Sequence, residues 1–250
     1  MAFQTVFKRY ELKYMLTPLQ KKTILEAMSP YMQLDKYGRT TIRNIYLDTD
    51  SYRLIRRSIE KPAYKEKLRI RSYSQATEDS TVFVELKKKY ERVVYKRRLP
   101  LCVSDAMAWV CRERSCPFDT QISREIDYFI DFYGKLKPTV LLSYEREAYY
   151  DKGGGDFRVT FDDTILCRRT DVNLCSSVYG KPVLPEGTVL MELKCSGGIP
   201  LWMVGVLSRE HIYKTSFSKY GAAYSTLIFP EIYLPDSMKQ KERITDGCSI

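Results

Sequence analysis

A single histidine, His211, occurs in the 250 residues, and nothing beside it forms a nucleophile–base arrangement. A hydrolase built on Ser/His/Asp or Cys/His is therefore excluded, because imidazole is the base on which such triads turn. The seven cysteines are odd in number and no two are spaced as CxxC. That removes a disulfide framework and a zinc site, and leaves reduced thiols in a cytoplasmic protein as the expectation. No glycine-rich P-loop signature is present, and the run Gly153-Gly154-Gly155 reads as a hairpin turn between strands. Long hydrophobic runs are missing too. The longest, Ile199 to Leu207, is far short of the roughly 20 residues that span a bilayer. The opening segment carries Lys8, Arg9, Glu11 and Lys13 and does not read as a signal peptide. Neither an internal repeat nor a linker interrupts the chain. One domain over residues 1–234 with a loosely ordered polar tail, 235–250, is expected.

Positive charge is what the chain has in excess. Forty-one Lys and Arg face thirty-one Asp and Glu, a net charge of +10, which favours anionic partners. Twenty tyrosines suit strands that need an apolar body with a polar tip. The basic residues are also patterned. Lys65-Lys67-Arg69-Arg71, Glu85-Lys87-Lys89, Tyr95-Arg97, Tyr144-Arg146, Arg158-Thr160-Asp162 and Glu192-Lys194 all fall on alternate positions of strand-like sequence. Apolar residues fill many of the intervening positions, among them Leu68, Ile70, Val84, Leu86, Val159, Phe161, Met191 and Leu193. Because strand side chains alternate between faces, each such strand offers one greasy face and one charged face.

The elements follow from the same periodicities. A strand is predicted over Phe7–Tyr14, and a helix begins at Thr17-Pro18, where the hydroxyl caps and proline occupies the first turn. A strand over Ile42–Asp48 and a short basic helix over Ser51–Ile59 come next. Tyr64–Tyr73, Thr81–Lys89 and Arg92–Leu99 then read as an antiparallel meander. Helices are predicted from Ser104, over Ile122–Tyr133, over Pro200–Ser208 and over Lys219–Phe229. Further strands are predicted at Thr139–Tyr150, Phe157–Asp162, Ile165–Arg168 and Thr188–Cys195. The fold class is α+β: about eight antiparallel strands closing into a barrel, helices outside, with a bore wide enough to enclose a ligand.

Few acids stand opposite the repeated cations, and crowded like charges repel, so such an array exists to hold an anion. Arg69, Arg71, Lys87, Arg146 and Arg158 supply forked and point-charge donors to phosphate oxygens. Glu192 lies between Met191 and Leu193 on a strand fit for burial. It reads either as a salt-bridge partner or as a carboxylate that holds a divalent cation against phosphates, a task Glu85 and Asp162 could share. Ser218 caps a helix start beside Lys214 and Lys219. Nucleic acid is set aside, because the charges alternate on strands and no aromatic-rich RNA motif stands among them.

Taken in order, FKRYELKY at Phe7–Tyr14, IRNIYLDT at Ile42–Thr49, KLRIRSY at Lys67–Tyr73, VFVELKKK at Val82–Lys89, LSYEREAY at Leu142–Tyr149, FRVTFDDTI at Phe157–Ile165, VLMELKC at Val189–Cys195 and TSFSKY at Thr215–Tyr220 resemble the VTC-type polyphosphate polymerase domain. That family is a member of the triphosphate tunnel (CYTH-like) superfamily. The resemblance implies an eight-stranded antiparallel β-tunnel and transfer of the γ-phosphoryl group of ATP onto inorganic polyphosphate, with a divalent metal, Mn²⁺ or Mg²⁺. By position it implies phosphate-gripping roles for Lys13, Arg69, Arg71, Lys87, Arg146 and Arg158, substrate contacts from Lys67, Ser218, Lys219 and Lys214, and metal binding by Glu192. Many triphosphatases of the superfamily begin with an ExExK strand, whose glutamates hold metal that activates water. This chain has Arg9-x-Glu11-x-Lys13 there, which favours a phosphate acceptor over water. A tripolyphosphate or nucleoside-triphosphate hydrolase and a non-catalytic polyphosphate sensor stay open as alternatives. So does a separate membrane protein that carries product away, as in some relatives.

Overall fold

The computed structural model describes residues 10–91 and 93–235. Arg9, Cys248 and all of the expected tail beyond residue 235 lie outside them. In chain order the elements are β1 (Tyr10–Leu16), α1 (Pro18–Met28), β2 (Met32–Asp48), α2 (Arg53–Ile59), β3 (Tyr64–Ser72), β4 (Thr81–Tyr90), β5 (Val93–Cys102), α3 (Val103–Val110), α4 (Gln121–Tyr133), β6 (Lys137–Asp151), β7 (Arg158–Arg168), β8 (Lys181–Pro182), β9 (Val189–Cys195), α5 (Leu201–Arg209), β10 (Lys214–Thr215), α6 (Lys219–Ala223), a π-helical turn (Tyr224–Ile228) and α7 (Phe229–Tyr233). Local chemistry accounts for several boundaries. Thr17 and Gln20 form a reciprocal capping box at α1, with proline in its first turn, and Thr120 with Ser123 does the same at α4. Ser104 was expected to cap α3; instead the Cys102 sulfur accepts from the Asp105 N–H, and the helix starts two residues earlier.

The sheet is antiparallel throughout and runs β10-β1-β9-β7-β6-β2-β3-β4-β5, with β8 attached to β7. Eight strands are long and two are two-residue pieces. The expected closed barrel is corrected in one respect: among the described residues no backbone ladder joins the two ends of the sheet. Side chains bridge that gap instead, Lys87 on β4 reaching Glu11 on β1 at 3.1 Å and Lys67 on β3 reaching Ser218 at 2.8 Å. The two strands expected at Phe157–Asp162 and Ile165–Arg168 are one strand, β7. An extra residue at Thr164, whose φ is +48°, shifts the register against β6. Such a bulge flips the alternation, so Asp162 and Ile165 face the same way.

Helices cover the outside on two sides. The α3–α4 pair packs on Leu68, Ile70, Val84, Leu86 and Leu99, and the α1–α5 pair packs on Val159, Phe161, Met191 and Leu193. These are the apolar alternates seen in the sequence, so the charged alternates turn to the other face. A third apolar cluster lies on that inner face. Ile42, Val140, Leu142, Ile165 and Leu190 pack there against Tyr220, Ala223 and Ile228 of the C-terminal helical segment and Ile55 of α2. The inner face is thus apolar where these helices cover it and charged beyond.

Asp48 ties these pieces together. Its buried carboxylate accepts from the backbone N–H groups of Thr49, Leu54 and Ile55 and from the Tyr220 hydroxyl, at 2.8–3.0 Å. One side chain therefore caps α2 and anchors α6 to β2. Asp48→Ala leaves those donors without a partner and should destabilise the fold by about 3 kcal/mol, read from chemical denaturation.

Candidate polyanion site

Register sets the site. On β3, Lys65, Lys67, Arg69 and Arg71 stand opposite Lys89, Lys87, Glu85 and Phe83 of β4. Across the gap β1 contributes Glu11 and Lys13, which pair with Lys194 and Glu192 of β9. Glu192 and Lys194 in turn lie opposite Thr160 and Arg158 of β7, and Asp162 of β7 lies opposite Arg146 of β6. From β5 the inward residues are Lys96 and Arg98, the latter opposite Glu85. The expected Tyr95–Arg97 alternation has the wrong parity: Arg97 faces outward and pairs with Glu125 of α4 at 2.9 Å. Lys219, at the start of α6, enters this face from the helical side.

The expectation of few opposing acids is also corrected, because four carboxylates lie among the cations. Glu85 is fully buried and accepts two hydrogen bonds from Arg69, at 2.9 and 2.8 Å, with Arg71, Lys96 and Arg98 within 4 Å. Asp162, equally buried, takes a forked pair from Arg146 at 2.5 and 2.6 Å and a third bond from Lys219 at 2.5 Å. Glu192 is encircled by Lys194 at 3.0 Å, Lys13 at 3.3 Å, Arg146 at 3.4 Å and Lys219 at 3.6 Å. Glu11 shares Lys13 at 3.2 Å and holds Lys87 at 3.1 Å. Burial alone would raise each of these acids. The surrounding cations overcome it and hold all four below the ordinary carboxylate range. Buried charges persist because each has its partners.

Beyond this paired ring the cations stand without acids. Among the described residues, Lys65, Lys67, Lys89 and Arg158 have no carboxylate within 4 Å. Lys65 faces Lys89 directly and Lys67 faces Lys87, a destabilising arrangement unless an anion bridges them. Among the described residues Lys67 donates to the Ser218 hydroxyl alone. Burial, aided by Lys13, Lys87, Lys65 and Arg69, pulls its ammonium down to about 7. Arg158 lies on the inner side of β7 but is exposed at the strand's end. Lys214, exposed on the edge strand β10 opposite Tyr14, stands at the rim, near enough to Lys89 to help lower that ammonium. The Ser218 hydroxyl is already engaged, accepting from Gly221 N–H and Lys67.

Among the described residues no three His, Cys, Asp or Glu side chains gather as a metal centre. The donor set nevertheless suits a hard cation that shares its shell with phosphate oxygens, as Mg²⁺ does with one or two carboxylates. Glu192 and Glu11, both ionised and both within reach of Lys13, are the carboxylates that would hold it. Opposite Glu192 the buried hydroxyl of Thr160 has no hydrogen-bond partner among the described residues, a donor that would suit a phosphate oxygen. Glu85 and Asp162 are spent on orienting arginines.

The structure thus brings together Lys13, Lys67, Arg69, Arg71, Lys87, Arg146, Glu192, Ser218 and Lys219. The sequence reading had not singled out Tyr144, Thr160, Lys96 or Arg98. Tyr144 was visible, since it precedes Arg146 by two residues and so shares its face. Thr160 was visible in the same way, between Arg158 and Asp162 on their shared face, while Lys96 and Arg98 carried no distinguishing signal. Two surface clefts, of about 420 and 210 Å³, lie on the outer side beside α4 and include none of these residues.

Two outcomes follow from these electrostatics. Glu85→Gln leaves Arg69 and Arg71 uncompensated and should cost about 3 kcal/mol in denaturation; tripolyphosphate should then raise its Tm more than that of the unaltered protein. Anion binding restores the charge of Lys67, so tripolyphosphate should take up a proton near pH 8 and bind more weakly as pH rises from 7 to 9. Calorimetry in buffers of different ionisation enthalpy reads this uptake, and Lys67→Gln should reduce it.

A family profile, the VTC domain, matches residues 8–228. No curated protein sequence matches the chain. Among solved structures, a candidate adenylate cyclase of Bacillus halodurans superposes with a TM-score of 0.54 at 15% identity, covering 86% of this chain and 96% of that one. A candidate adenylyl cyclase from Hippeastrum with a dominant triphosphatase activity gives a TM-score of 0.52 at 16% identity, covering 87% and 94%. At that identity these likenesses speak for the fold, a mainly antiparallel sheet of the tunnel type. By the match along nearly its whole described length, the chain belongs to the VTC domain family.

Proposed function

We propose that this protein is a polyphosphate polymerase, which transfers the γ-phosphoryl group of ATP onto a growing inorganic polyphosphate chain along the charged inner face. One observation carries the reading. The cations continue past the ring they share with Glu11, Glu85, Asp162 and Glu192 to the unpaired Lys65, Lys67, Lys89 and Arg158. The occupant that such a face suits is a chain of phosphates.

Phosphoryl transfer asks the protein mainly for positioning and charge neutralisation. Arg69, Arg71 and Arg146 offer forked donors held in place by Glu85 and Asp162, so little reorganisation is needed when phosphate arrives. Lys13, Lys87 and Lys219 add point charges beside them. Lys65, Lys67 and Lys89 would hold the acceptor chain so that its terminal oxygen approaches the γ-phosphorus in line. Bound by Glu192 with Glu11, a divalent cation, Mn²⁺ or Mg²⁺, would supply further neutralisation of the triphosphate. No helix among the described residues is long and apolar enough to cross a membrane. A cytoplasmic location with ATP as donor fits this reading.

The test is incubation of the purified protein with ATP and Mn²⁺, with polymer measured on gels and free phosphate measured in parallel. Polymer should form, and Arg146→Ala should lower the rate by about 100-fold or more, as loss of an oriented charge donor does. Free phosphate in excess of polymer would instead assign a hydrolase, and binding without ATP consumption a sensor.

A further inference from the structure

Two phenols of the inner face, Tyr46 and Tyr144, accept a hydrogen bond from an arginine, Arg69 and Arg71 respectively, and the second also has Arg146 and Lys219 over its ring. Tyr144, on β6, is 3% exposed and sits two residues before Arg146. Its hydroxyl accepts a hydrogen bond from Arg71 Nη2 at 3.1 Å. The Lys219 ammonium lies 4.4 Å from its ring centroid, and the Arg146 guanidinium 5.2 Å. Among the described residues no acceptor takes the phenolic proton. A buried tyrosine hydroxyl ordinarily finds one. This one is surrounded by donors, so its proton is directed to whatever anion shares the site with Arg71, Arg146 and Lys219.

We infer that Tyr144 is the general acid of the transfer reaction, protonating the oxygen that leaves phosphorus. The inference rests on the phosphoryl-transfer reading. As the bond from the γ-phosphorus to its bridging oxygen breaks, the electron pair stays on that oxygen, and the Tyr144 O–H bond breaks to give it the proton. The acceptor oxygen forms the new bond to phosphorus. Whether that acceptor is a monoprotonated terminal phosphate or water, it must shed one proton, which returns to the phenolate. Proton and charge balance, and no further reactant is needed.

The groups that face the phenol come from four elements: Arg71 from β3, Arg146 from its own strand, Lys219 from α6 and Asp162 from β7. Burial opposes ionisation of the phenol. Arg71, Arg146 and Lys219 outweigh both burial and Asp162 and bring it down to about 8. Phosphates bound to the same cations push the other way, so the loaded enzyme keeps the proton in place. An acid poised near the working pH, with cations ready to stabilise its conjugate base, is what efficient proton donation requires. The carboxylates cannot serve, because all four are held ionised, and His211 lies outside the site.

Tyr144→Phe removes only the oxygen and keeps the ring within the apolar cluster around Tyr220. Turnover of ATP should fall about 100-fold or more, with KM for ATP changed by less than about threefold because the gripping cations remain. The decisive readout is the pH–rate profile. At saturating ATP and acceptor, where the charge of Lys67 no longer limits binding, the unaltered enzyme should lose rate on the alkaline side as the phenol ionises, and Tyr144→Phe should lack that limb. With 3,5-difluorotyrosine at position 144, whose phenol is more acidic, the limb should move to lower pH. An unchanged rate and profile in Tyr144→Phe, or a limb that fluorination does not move, overturns the role of Tyr144 alone. Absence of any ATP or tripolyphosphate turnover in the unaltered protein overturns the phosphoryl-transfer reading and this role with it.

Discussion

Four carboxylates buried among arginines and lysines are the constraint on which the rest of the structure depends. A charge removed from water survives only with partners; Glu85 meets its own on the neighbouring strands β3 and β5, whereas Asp162, Glu192 and Glu11 also reach partners far away in sequence. Lys219 joins Asp162 over 57 positions, Arg146 joins Glu192 over 46, and Lys87 joins Glu11 over 76. The last of these helps to span the seam where the backbone ladder stops. Electrostatic pairing therefore completes an enclosure that backbone hydrogen bonds leave open.

The same pairing prepares the site for its occupant. A face of cations alone would repel itself; one fully neutralised would have nothing to offer. Here the arginines are held by acids and keep their geometry, while Lys65, Lys67 and Lys89 remain uncompensated. The uncompensated positions create the demand for an anion, and the compensated ones provide the rigid donors that receive it. Apolar packing supports both. The α3–α4 and α1–α5 pairs bury the outer alternates of the sheet, and Tyr220, Ala223 and Ile228 occupy part of the inner face. The bore that remains is bounded by helix on one side and by charge on the other.

Much of this was legible in the residues. The capping of α1 by Thr17, the meander of β3, β4 and β5, and the Gly153–Gly155 hairpin follow from local rules, with Gly154 at φ +77° where a side chain would be strained. The inward set on β3, β4 and β9 followed from alternation alone. What was misread has physical causes. On β5 basic residues occupy both parities, so only register against Glu85 separates the inward Arg98 from the outward Arg97. On β7 the bulge at Thr164 looked like a strand break, because a flipped alternation and an interruption leave the same trace in the sequence.

By itself, then, the sequence determined which side chains share a face of each strand, because a period of two is a property of the backbone that needs no partner. It also determined the charge of those faces, which suits an anion. Only the tertiary structure decided which faces meet. The buried acids, the hydroxyl of Thr160 and the cation-ringed phenol of Tyr144 exist as a site because β1, β3, β6, β7, β9 and α6 converge. Coulombic partners within 4 Å are set by that convergence, and no spacing along the chain encodes it.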